Sequence, residues 1–400
     1  MLKNRYIYTA ENSLFMKIIL ILLMLSLAGG QPAGLLRDRA QMKTVQSLKD
    51  LGEGRLYRMD YKADYRLQDF IDADLNSKEA VQGGVAEMLL DPSAWGKMVA
   101  GRPSALPGGV QGTLPWQPAC SAFQAVTPEG DVIYGRNFDY DFADGASLMV
   151  RTRPRGGYRS MSLVSMSHIG MTGAQLADGE TDLSMLVAAP YAMMDGVNEK
   201  GFCISVLALT GGDCARQYNK EKHSIMTTVL MRLLLDRAAT VEEALALCRQ
   251  YNFFADGEQR RVPWRDKTNY HFLLSDASGR TVVLEYVRED GLKGKGPWVM
   301  NVIDARFVTN FYLAEGWRNV IRPDDRYPIL KQRLSEKQGV LTEAEAMALL
   351  REVCQKPSSP DDPSTQWSVV YNLTRRTATV CPAGDYGHPF TFSLRRGWRP

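Results

Sequence analysis

Residues 120–140 read CSAFQAVTPEGDVIYGRNFDY. Two short alternating runs, residues 122–126 and 132–136, flank a Thr-Pro-Glu-Gly-Asp segment, which is typical of a β-hairpin with a turn of about five residues. Folding the hairpin back places Arg136, Asn137 and Asp139 beside the start of the first strand, next to Cys120. A thiol next to a guanidinium group and a carboxylate is a candidate nucleophile, because the thiolate is the attacking form and nearby positive charge favours it.

The histidines of the chain lie outside any recognisable catalytic motif. The sequence has four of them, and His271 lies in the apolar run 270–274, which predicts a hydrogen-bonded core histidine. One candidate base is therefore the α-amino group of Cys120 itself, which is free only if the Ala119–Cys120 bond is cut. Its unperturbed pKa of about 7.7–8.0 suits a base at neutral pH.

The whole 120–140 stretch resembles the start of the mature chain in the choloylglycine hydrolase family of N-terminal nucleophile hydrolases. That family includes bile salt hydrolases, penicillin V acylases and the related acid ceramidase and N-acylethanolamine acid amidase. Its pattern is a nucleophilic Cys followed by Gly-Arg-Asn-x-Asp. Here Cys120 is followed, at the matching positions, by Gly135, Arg136, Asn137 and Asp139. The resemblance implies hydrolysis of a linear amide C–N bond, with Arg136 and Asp139 beside the nucleophile and Asn137 as a substrate-binding residue.

Later motifs resemble the family in the same order. The resemblance implies that Asn310, in the Thr-Asn pair 309–310, donates to the oxyanion, and that Arg326 closes the pocket electrostatically. Asn198 is interpreted as shaping its Asn-Glu-Lys-Gly turn. The family's Asn or Tyr after that turn is absent, and Ala208 lies at the corresponding position. We expect a substrate-contacting backbone N–H there, and no specificity for bile salts or penicillins follows.

The resemblance also implies a four-layer αββα sandwich, whereas periodicity alone indicates only an α+β fold. Capping boxes predict helices from Thr240 to Cys248 and from Thr342 to Val353. A short helix over 323–334 is expected to carry Arg326. Further helices are predicted over 31–53 and 70–90, with an extended segment between them.

Three segments are predicted. Residues 1–30 are interpreted as a signal peptide, because Lys17 precedes an apolar run of about ten residues and then small residues. A retained membrane anchor is the alternative, although a span needs about twenty apolar residues. Residues 31–119 form a pro-segment or an α-subunit-like region, and 120–400 form the catalytic domain. Export to the periplasm or the extracellular space follows from the signal peptide.

Composition limits the partners. The formal net charge is only +3, with acidic and basic residues interspersed, so nothing indicates binding to nucleic acid. The six cysteines show no metal-ligand spacing, and most are interpreted as buried free thiols, with a Cys203–Cys214 bridge left open. We expect no metal and no cofactor.

Three functions therefore compete. They are hydrolysis of an N-acyl amide, acyl transfer from Cys120 to an amine, and non-catalytic binding by the same fold. The expected partner is a small-molecule N-acyl amide. Peripheral contact with a membrane or lipid stays open, as does the oligomeric state.

Overall fold

The computed structural model describes residues 35–52, 54–91, 120–140, 146–169, 171–178, 181–210, 213–255, 268–317, 325–356 and 364–394. The predicted signal peptide and the residues just before Cys120 lie outside these ranges. The described strands, in chain order, are β1 Lys49–Asp50, β2 Leu56–Asp60, β3 Ser121–Val126, β4 Val132–Tyr140, β5 Ser147–Thr152, β6 Ser160–Ser165, β7 Met193–Asn198, β8 Cys203–Thr210, β9 Ser224–Met226, β10 Asn252–Phe254, β11 Thr268–Ser275, β12 Thr281–Arg288, β13 Trp298–Ile303, β14 Phe307–Val308, β15 Ser364–Asn372, β16 Thr377–Pro382 and β17 Phe390–Ser393.

Helices account for most of the other regular structure. The described α-helices are α1 Arg39–Val45, α2 Leu67–Asp72, α3 Lys78–Leu89, α4 Gly173–Ala177, α5 Thr227–Arg237, α6 Val241–Cys248, α7 Arg326–Glu336 and α8 Glu343–Glu352, and Met166–Ile169 and Leu183–Tyr191 are 3₁₀ helices. Within the described part of the chain, no helix combines the length and the apolar character that crossing a membrane requires.

The described strands form two large sheets and a small parallel ribbon of β9 and β10. One sheet has the order β1-β2-β5-β6-β7-β8-β11-β12-β13, and the other has the order β14-β3-β4-β15-β16-β17. Every pairing in the second sheet is antiparallel. Most positions of its central strands β4 and β15 are buried, which indicates that both faces of this sheet are covered.

Three hydrophobic clusters define the layers. Side chains from both sheets, such as Tyr134 of β4 and Leu207 of β8, pack together between them. The other face of the nine-stranded sheet packs against α5, α6 and side chains from residues 35–90. The other face of the six-stranded sheet packs against α7 and α8. The order helix, sheet, sheet, helix confirms the predicted αββα sandwich.

The segment before Cys120 belongs to this fold. Strand β2 pairs in parallel with β5 and so extends the nine-stranded sheet. The Tyr61 hydroxyl donates to the Val187 carbonyl at 2.8 Å, and the Tyr65 hydroxyl donates to Asp236 Oδ2 at 2.6 Å. Residues 35–91 therefore complete a sheet of the main domain.

The predicted helices of this segment are shorter than expected. Only 39–45 of the predicted 31–53 stretch is helical among the residues described. The predicted 70–90 helix is divided into α2 and α3. Asp74 lies between them with a left-handed φ of 46°, and its Oδ1 accepts the Ser224 N–H at 2.5 Å. This tertiary hydrogen bond accompanies a chain reversal that helical periodicity does not reveal.

One of the two predicted capping boxes forms in full and the other in part. The Thr342 and Glu345 side chains form the predicted reciprocal capping box at the start of α8. The Thr240 side chain accepts from the Glu243 N–H at the start of α6, but the Glu243 side chain accepts from the Ala239 N–H instead of the Thr240 N–H. A short helix over 323–334 was expected to carry Arg326, and α7 does carry it, as the first residue of the observed Arg326–Glu336 helix.

Candidate active site

The predicted hairpin forms and brings Cys120 next to Arg136. Strands β3 and β4 pair from Ser121↔Asn137 to Val126↔Val132, and Cys120 lies one residue before β3. The Arg136 Nη2 group donates to Cys120 Sγ at 3.2 Å and to the Val206 carbonyl at 2.7 Å. Cys120 is 4% exposed and Arg136 is fully buried. The thiol therefore contacts a desolvated cation between the sheets.

The glycine of the Gly-Arg-Asn sequence has a packing role. A Cβ at Gly135 would lie 2.5 Å from the Phe123 ring, which crosses the outer face of the hairpin there. Any larger side chain would force β3 and β4 apart or displace that ring. Gly135 thus supports the register that aligns Arg136 with Cys120.

Asp195 supplies a negative charge to the same region. Its Oδ2 lies 3.7 Å from Arg136 Nε, with both side chains fully buried. Burial raises the pKa of Asp195 to about 6, although Arg136 acts in the opposite direction. Burial lowers the pKa of Arg136, but the charges of Cys120 and Asp195 outweigh it, so the net shift is upward. Arg136 accordingly stays protonated beside the thiol.

Arg326 binds the backbone of the nucleophile residue rather than its sulfur. Its Nη1 donates to the Cys120 carbonyl at 2.9 Å and lies 3.4 Å from Asp139 Oδ2. Its Nη2 donates to Asn310 Oδ1 at 3.2 Å. The Thr365 hydroxyl donates to the other oxygen of Asp139 at 2.5 Å. Helix α7 thus joins Cys120, Asp139 and Asn310, with Arg326 as an internal anchor of the Cys120 backbone.

Asn310 and Ala208 contact each other. The Asn310 Nδ2 group donates to the Ala208 carbonyl at 2.7 Å, and both residues are buried. The sequence predicted a backbone N–H near Ala208 as the substrate contact. In the structure it is the Ala208 carbonyl that binds this amide. The two residues are nevertheless brought together, and the second N–H of Asn310 is outside this bond.

Asn137 is the predicted site residue that the structure does not bring to the cluster. Its Nδ2 donates to the Leu350 carbonyl of α8 at 2.7 Å, and its Oδ1 accepts the Ser368 hydroxyl at 2.7 Å. Successive side chains of a strand point to opposite faces, so Asn137 faces the outer helix layer when Arg136 faces the inner one. The interpretation as a substrate-binding residue is corrected to that of a strand-to-helix connector.

His271 is a core residue, as the sequence indicated. Its Nε2 lies 2.8 Å from the Thr309 carbonyl and its Nδ1 lies 3.2 Å from Glu285 Oε1, with the ring fully buried. Glu285 also accepts the backbone N–H groups of Leu313 and Ala314. This pair fixes the backbone on both sides of Asn310, which gives His271 a supporting place in the fold.

The Asn198 turn is also structural. Its amide donates to the Leu235 and Ala238 carbonyls at 3.0 and 2.7 Å, and its oxygen accepts from the turn that follows. Gly201 has φ of +89°, and a Cβ there would lie 2.5 Å from the Leu373 carbonyl. The Asn-Glu-Lys-Gly sequence therefore fixes a β7–β8 turn against its neighbours.

None of the six cysteines forms a disulfide, so the bridge left open between Cys203 and Cys214 is not formed. Cys203, Cys248 and Cys381 are buried like Cys120, whereas Cys214 and Cys354 are half-buried. In the ranges that the structure describes, no group of three or more His, Cys, Asp or Glu side chains could hold a metal ion.

Sequence reasoning missed several groups of the site. These are the Asp195 carboxylate, the Val206 carbonyl and the Thr365 hydroxyl. A signal for Asp195 existed, since it is a lone acidic residue between Met194 and Gly196 in an otherwise uncharged strand. A buried acidic side chain needs a partner, and this rule would have predicted that Asp195 takes part in an ion pair or hydrogen bond.

Comparison with known proteins finds a family similarity in the first part of the predicted catalytic domain. Residues 120–294 match the model of the linear amide C–N hydrolases, choloylglycine hydrolase family. This part of the chain is similar to that family, and it contains Cys120, Arg136, Asp139, Asp195 and Ala208. The match confirms the resemblance stated from the motifs, and amide hydrolysis is the reaction of the family.

Individual relatives are more distant. An uncharacterized protein of Paramecium bursaria Chlorella virus 1 is 22% identical over 166 residues, which are 42% of this chain and 48% of that protein. This chain therefore matches about half the length of that curated relative.

Solved structures with detectable similarity include three enzymes. Penicillin V acylase from Agrobacterium tumefaciens is 18% identical, with 69% of this chain and 87% of that chain covered and a TM-score of 0.46. Conjugated bile acid hydrolase from Clostridium perfringens is 15% identical, with 70% and 93% covered and a TM-score of 0.47. The Caenorhabditis elegans ortholog of N-acylethanolamine-hydrolyzing acid amidase is 17% identical, with 69% and 100% covered and a TM-score of 0.38.

Proposed function

We propose that this protein hydrolyses the amide bond of a small N-acyl substrate, with Cys120 as an N-terminal nucleophile. The observation that carries the proposal is the 3.2 Å contact between Arg136 Nη2 and Cys120 Sγ. It lies at the first residue of the segment that matches the amide hydrolases. A buried guanidinium beside a thiol favours the thiolate, which is the nucleophilic form.

Activation begins with a cut between Ala119 and Cys120, which frees the α-amino group of Cys120. This amine takes the thiol proton, and the sulfur attacks the substrate carbonyl carbon to form a C–S bond. The second N–H of Asn310 and a backbone N–H near Ala208 stabilise the oxyanion. Loss of one such donor typically raises the barrier by about 3–4 kcal/mol.

The remaining steps return the enzyme to its starting state. The protonated amine gives its proton to the leaving nitrogen as the C–N bond breaks, and a thioester remains on Cys120. Water then adds to the thioester carbonyl, the C–S bond breaks and the carboxylic acid leaves. Arg326 and Asp139 keep the Cys120 backbone in place throughout, which is supported by the 2.9 Å bond from Arg326 to the Cys120 carbonyl.

The proposal gives residues 31–119 the role of a retained, subunit-like segment rather than of a discarded pro-segment. Support comes from β2, which is hydrogen-bonded to β5 inside the nine-stranded sheet, and from the buried bond between Tyr65 and Asp236. Removal of residues 1–30 as a signal peptide and export of the rest belong to the same proposal.

The decisive experiment combines mass analysis with turnover. Intact mass and Edman sequencing of the active enzyme are expected to give two fragments, the second beginning Cys-Ser-Ala-Phe. A panel of N-acyl amides of varied chain length and head group is assayed for released amine. Cys120→Ala is expected to remain one chain without turnover, and Cys120→Ser tests whether the sulfur itself is needed.

Cys354→Ala is the matched control, because Cys354 is a half-buried thiol outside any disulfide that directly follows the C-cap of α8. It should cut and turn over like the wild type. Unchanged turnover in both Cys120 variants would remove Cys120 as the nucleophile. A single uncut chain in working enzyme would remove the α-amine. Assays with added amine distinguish acyl transfer, which would give a new amide in place of the free acid.

A further inference from the structure

We infer that Asp195 is a positioning residue that holds the Arg136 guanidinium against Cys120 Sγ from the opposite sheet. The inference deepens the proposed function, since it rests on Cys120 being the nucleophile of that reaction. Asp195 lies on β7 of the nine-stranded sheet, whereas Arg136 lies on β4 of the six-stranded sheet. Its action on the sulfur passes entirely through Arg136.

Arg136 needs an anchor on the side away from the sulfur. Its Nη2 is occupied by Cys120 Sγ and the Val206 carbonyl. Among the described residues, its Nε and Nη1 have no hydrogen-bond partner, although the side chain is fully buried. A desolvated cation requires a nearby counter-charge. Asp195, with Oδ2 at 3.7 Å from Nε, provides it.

Asp195 itself is held rigidly by the other sheet. Its Oδ1 accepts the Tyr371 hydroxyl at 2.5 Å, and its Oδ2 accepts Trp367 Nε1–H at 2.9 Å. Both donors lie on β15, next to β4. The carboxylate is therefore oriented independently of Arg136, which is what a residue that positions another side chain requires.

The carboxylate and the sulfur share one guanidinium charge. Asp195 fixes the position of Arg136 and also takes part of the electrostatic stabilisation that the sulfur would otherwise receive. Loss of the Asp195 charge should therefore have two opposite effects. The thiolate should become more populated, because Arg136 is left with the sulfur as its anionic partner. Turnover should fall, because the guanidinium is no longer fixed.

Asp195→Asn tests this with little change of shape. The Asn oxygen can accept from Trp367, and the Asn amide can donate to the Tyr371 hydroxyl, so both cross-sheet hydrogen bonds survive while the charge is lost. The rate of alkylation of Cys120 by iodoacetamide at pH 7 is measured by peptide mass spectrometry. Loss of a nearby negative charge should raise the thiolate population by roughly tenfold. A more stabilised thiolate is also less nucleophilic, which should reduce the resulting gain in alkylation rate by about threefold.

We therefore expect alkylation of Cys120 to rise about threefold in Asp195→Asn, while kcat/KM on the best N-acyl amide falls at least about tenfold. Asp236→Asn is the matched control. The buried Arg232–Asp236 pair has the same composition, with Arg232 Nη2 at 2.6 Å from Asp236 Oδ1 and a tyrosine, Tyr65, on Oδ2. The Asp236→Asn variant should be less stable than the wild type, but its alkylation rate at Cys120 should be unchanged.

Tyr371→Phe serves if Asp195→Asn does not fold. The Tyr371 hydroxyl lowers the pKa of Asp195, so without this donor a larger share of the carboxyl group is protonated at pH 7. Alkylation of Cys120 should then rise, by less than the rise expected for Asp195→Asn. An unchanged or slower rate in Asp195→Asn overturns the inference, as does an equal rise in Asp236→Asn or an unchanged or slower rate in Tyr371→Phe. Alkylation requires no turnover. Absence of amide hydrolysis by the wild type would therefore refute the proposed function, whereas the alkylation rates would still test the role of Asp195.

Discussion

The buried Asp195 carboxylate should give the protein an unusual dependence of stability on pH. Burial raises its pKa from 3.8 to about 6 in the fold. A carboxylate with a raised folded-state pKa contributes stability that is fully present below its unfolded pKa. That contribution is lost as the pH rises through the folded pKa. For Asp195 the window runs from about pH 4 to just above pH 6.

The expected magnitude follows from the size of the shift. One pKa unit corresponds to about 1.4 kcal/mol, so an upward shift of about two units corresponds to about 3 kcal/mol. The site is fully buried, so exposed solvent does not screen it. Between pH 4 and pH 7, Asp195 should lose about 2.5 kcal/mol of this contribution to the free energy of unfolding, because the unfolded carboxyl group is already partly ionised at pH 4.

Urea denaturation of a matched pair measures this directly. The uncut Cys120→Ala chain and the same chain with Asp195→Asn are unfolded at intervals from pH 4 to pH 7. The difference between their free energies of unfolding should shift in favour of the Asn chain as the pH rises. Other carboxylates affect both chains alike and cancel in the difference.

Glu345→Gln is the opposing control. Hydrogen bonds from Lys337 and Thr342 lower the pKa of Glu345 to about 2. Its contribution is therefore present above its unfolded pKa of about 4.5 and is lost only as the pH falls below that. A flat difference curve for Asp195→Asn between pH 4 and pH 7, or one that favours the Asp chain with rising pH, would refute the reasoning.

Three further predictions follow from the packing. Asn137→Ala should lower the free energy of unfolding by about 2 kcal/mol, because the Leu350 carbonyl loses its buried donor. Its kcat/KM should stay unchanged, and a selective loss of kcat/KM would restore Asn137 to the site. Thr342→Ala should cost about 1 kcal/mol in urea denaturation through loss of the α8 cap, and no change would contradict the capping assignment. After cleavage, residues 35–91 should coelute with the rest in gel filtration, and their separate elution would contradict a retained segment.

Local sequence features predicted the hairpin and its register well. The alternation on each side of Thr-Pro-Glu-Gly-Asp is set by neighbouring residues, and Val126↔Val132 pairing follows from the turn length. That register is what brings Arg136 close to Cys120. Capping boxes were equally local, so α6 and α8 begin where they were expected.

The orientation of side chains was harder to predict. Treating Asn137 as part of the site ignored strand alternation, which places it on the face opposite Arg136. The exact target of Arg326 depends on where α7 packs, and this is a tertiary relationship. Its bond to the Cys120 carbonyl spans 206 positions of the chain, and no pattern within α7 encodes it.

Asp195 shows why a long-range pair escapes analysis of one strand at a time. Its partners Trp367 and Tyr371 lie on the facing sheet, 172 and 176 positions away. Trp367 and Tyr371 each fit an ordinary buried strand when taken alone, and the Asp195 carboxylate shows only that it needs a partner, without showing which one. The three side chains meet only because the two sheets stack. Predicting their contact would therefore have required knowing which strands of the two sheets face each other.

Strand β2 pairs with β5 across the proposed cut, which has a consequence for the lifetime of the enzyme. Before the proposed cut, a single covalent chain assembles both sheets. After it, an unfolded molecule would consist of two separate polypeptides, and recovery would require them to meet again. Refolding would then depend on protein concentration. The active lifetime of the enzyme would be set by its rate of unfolding and not by its equilibrium free energy of unfolding.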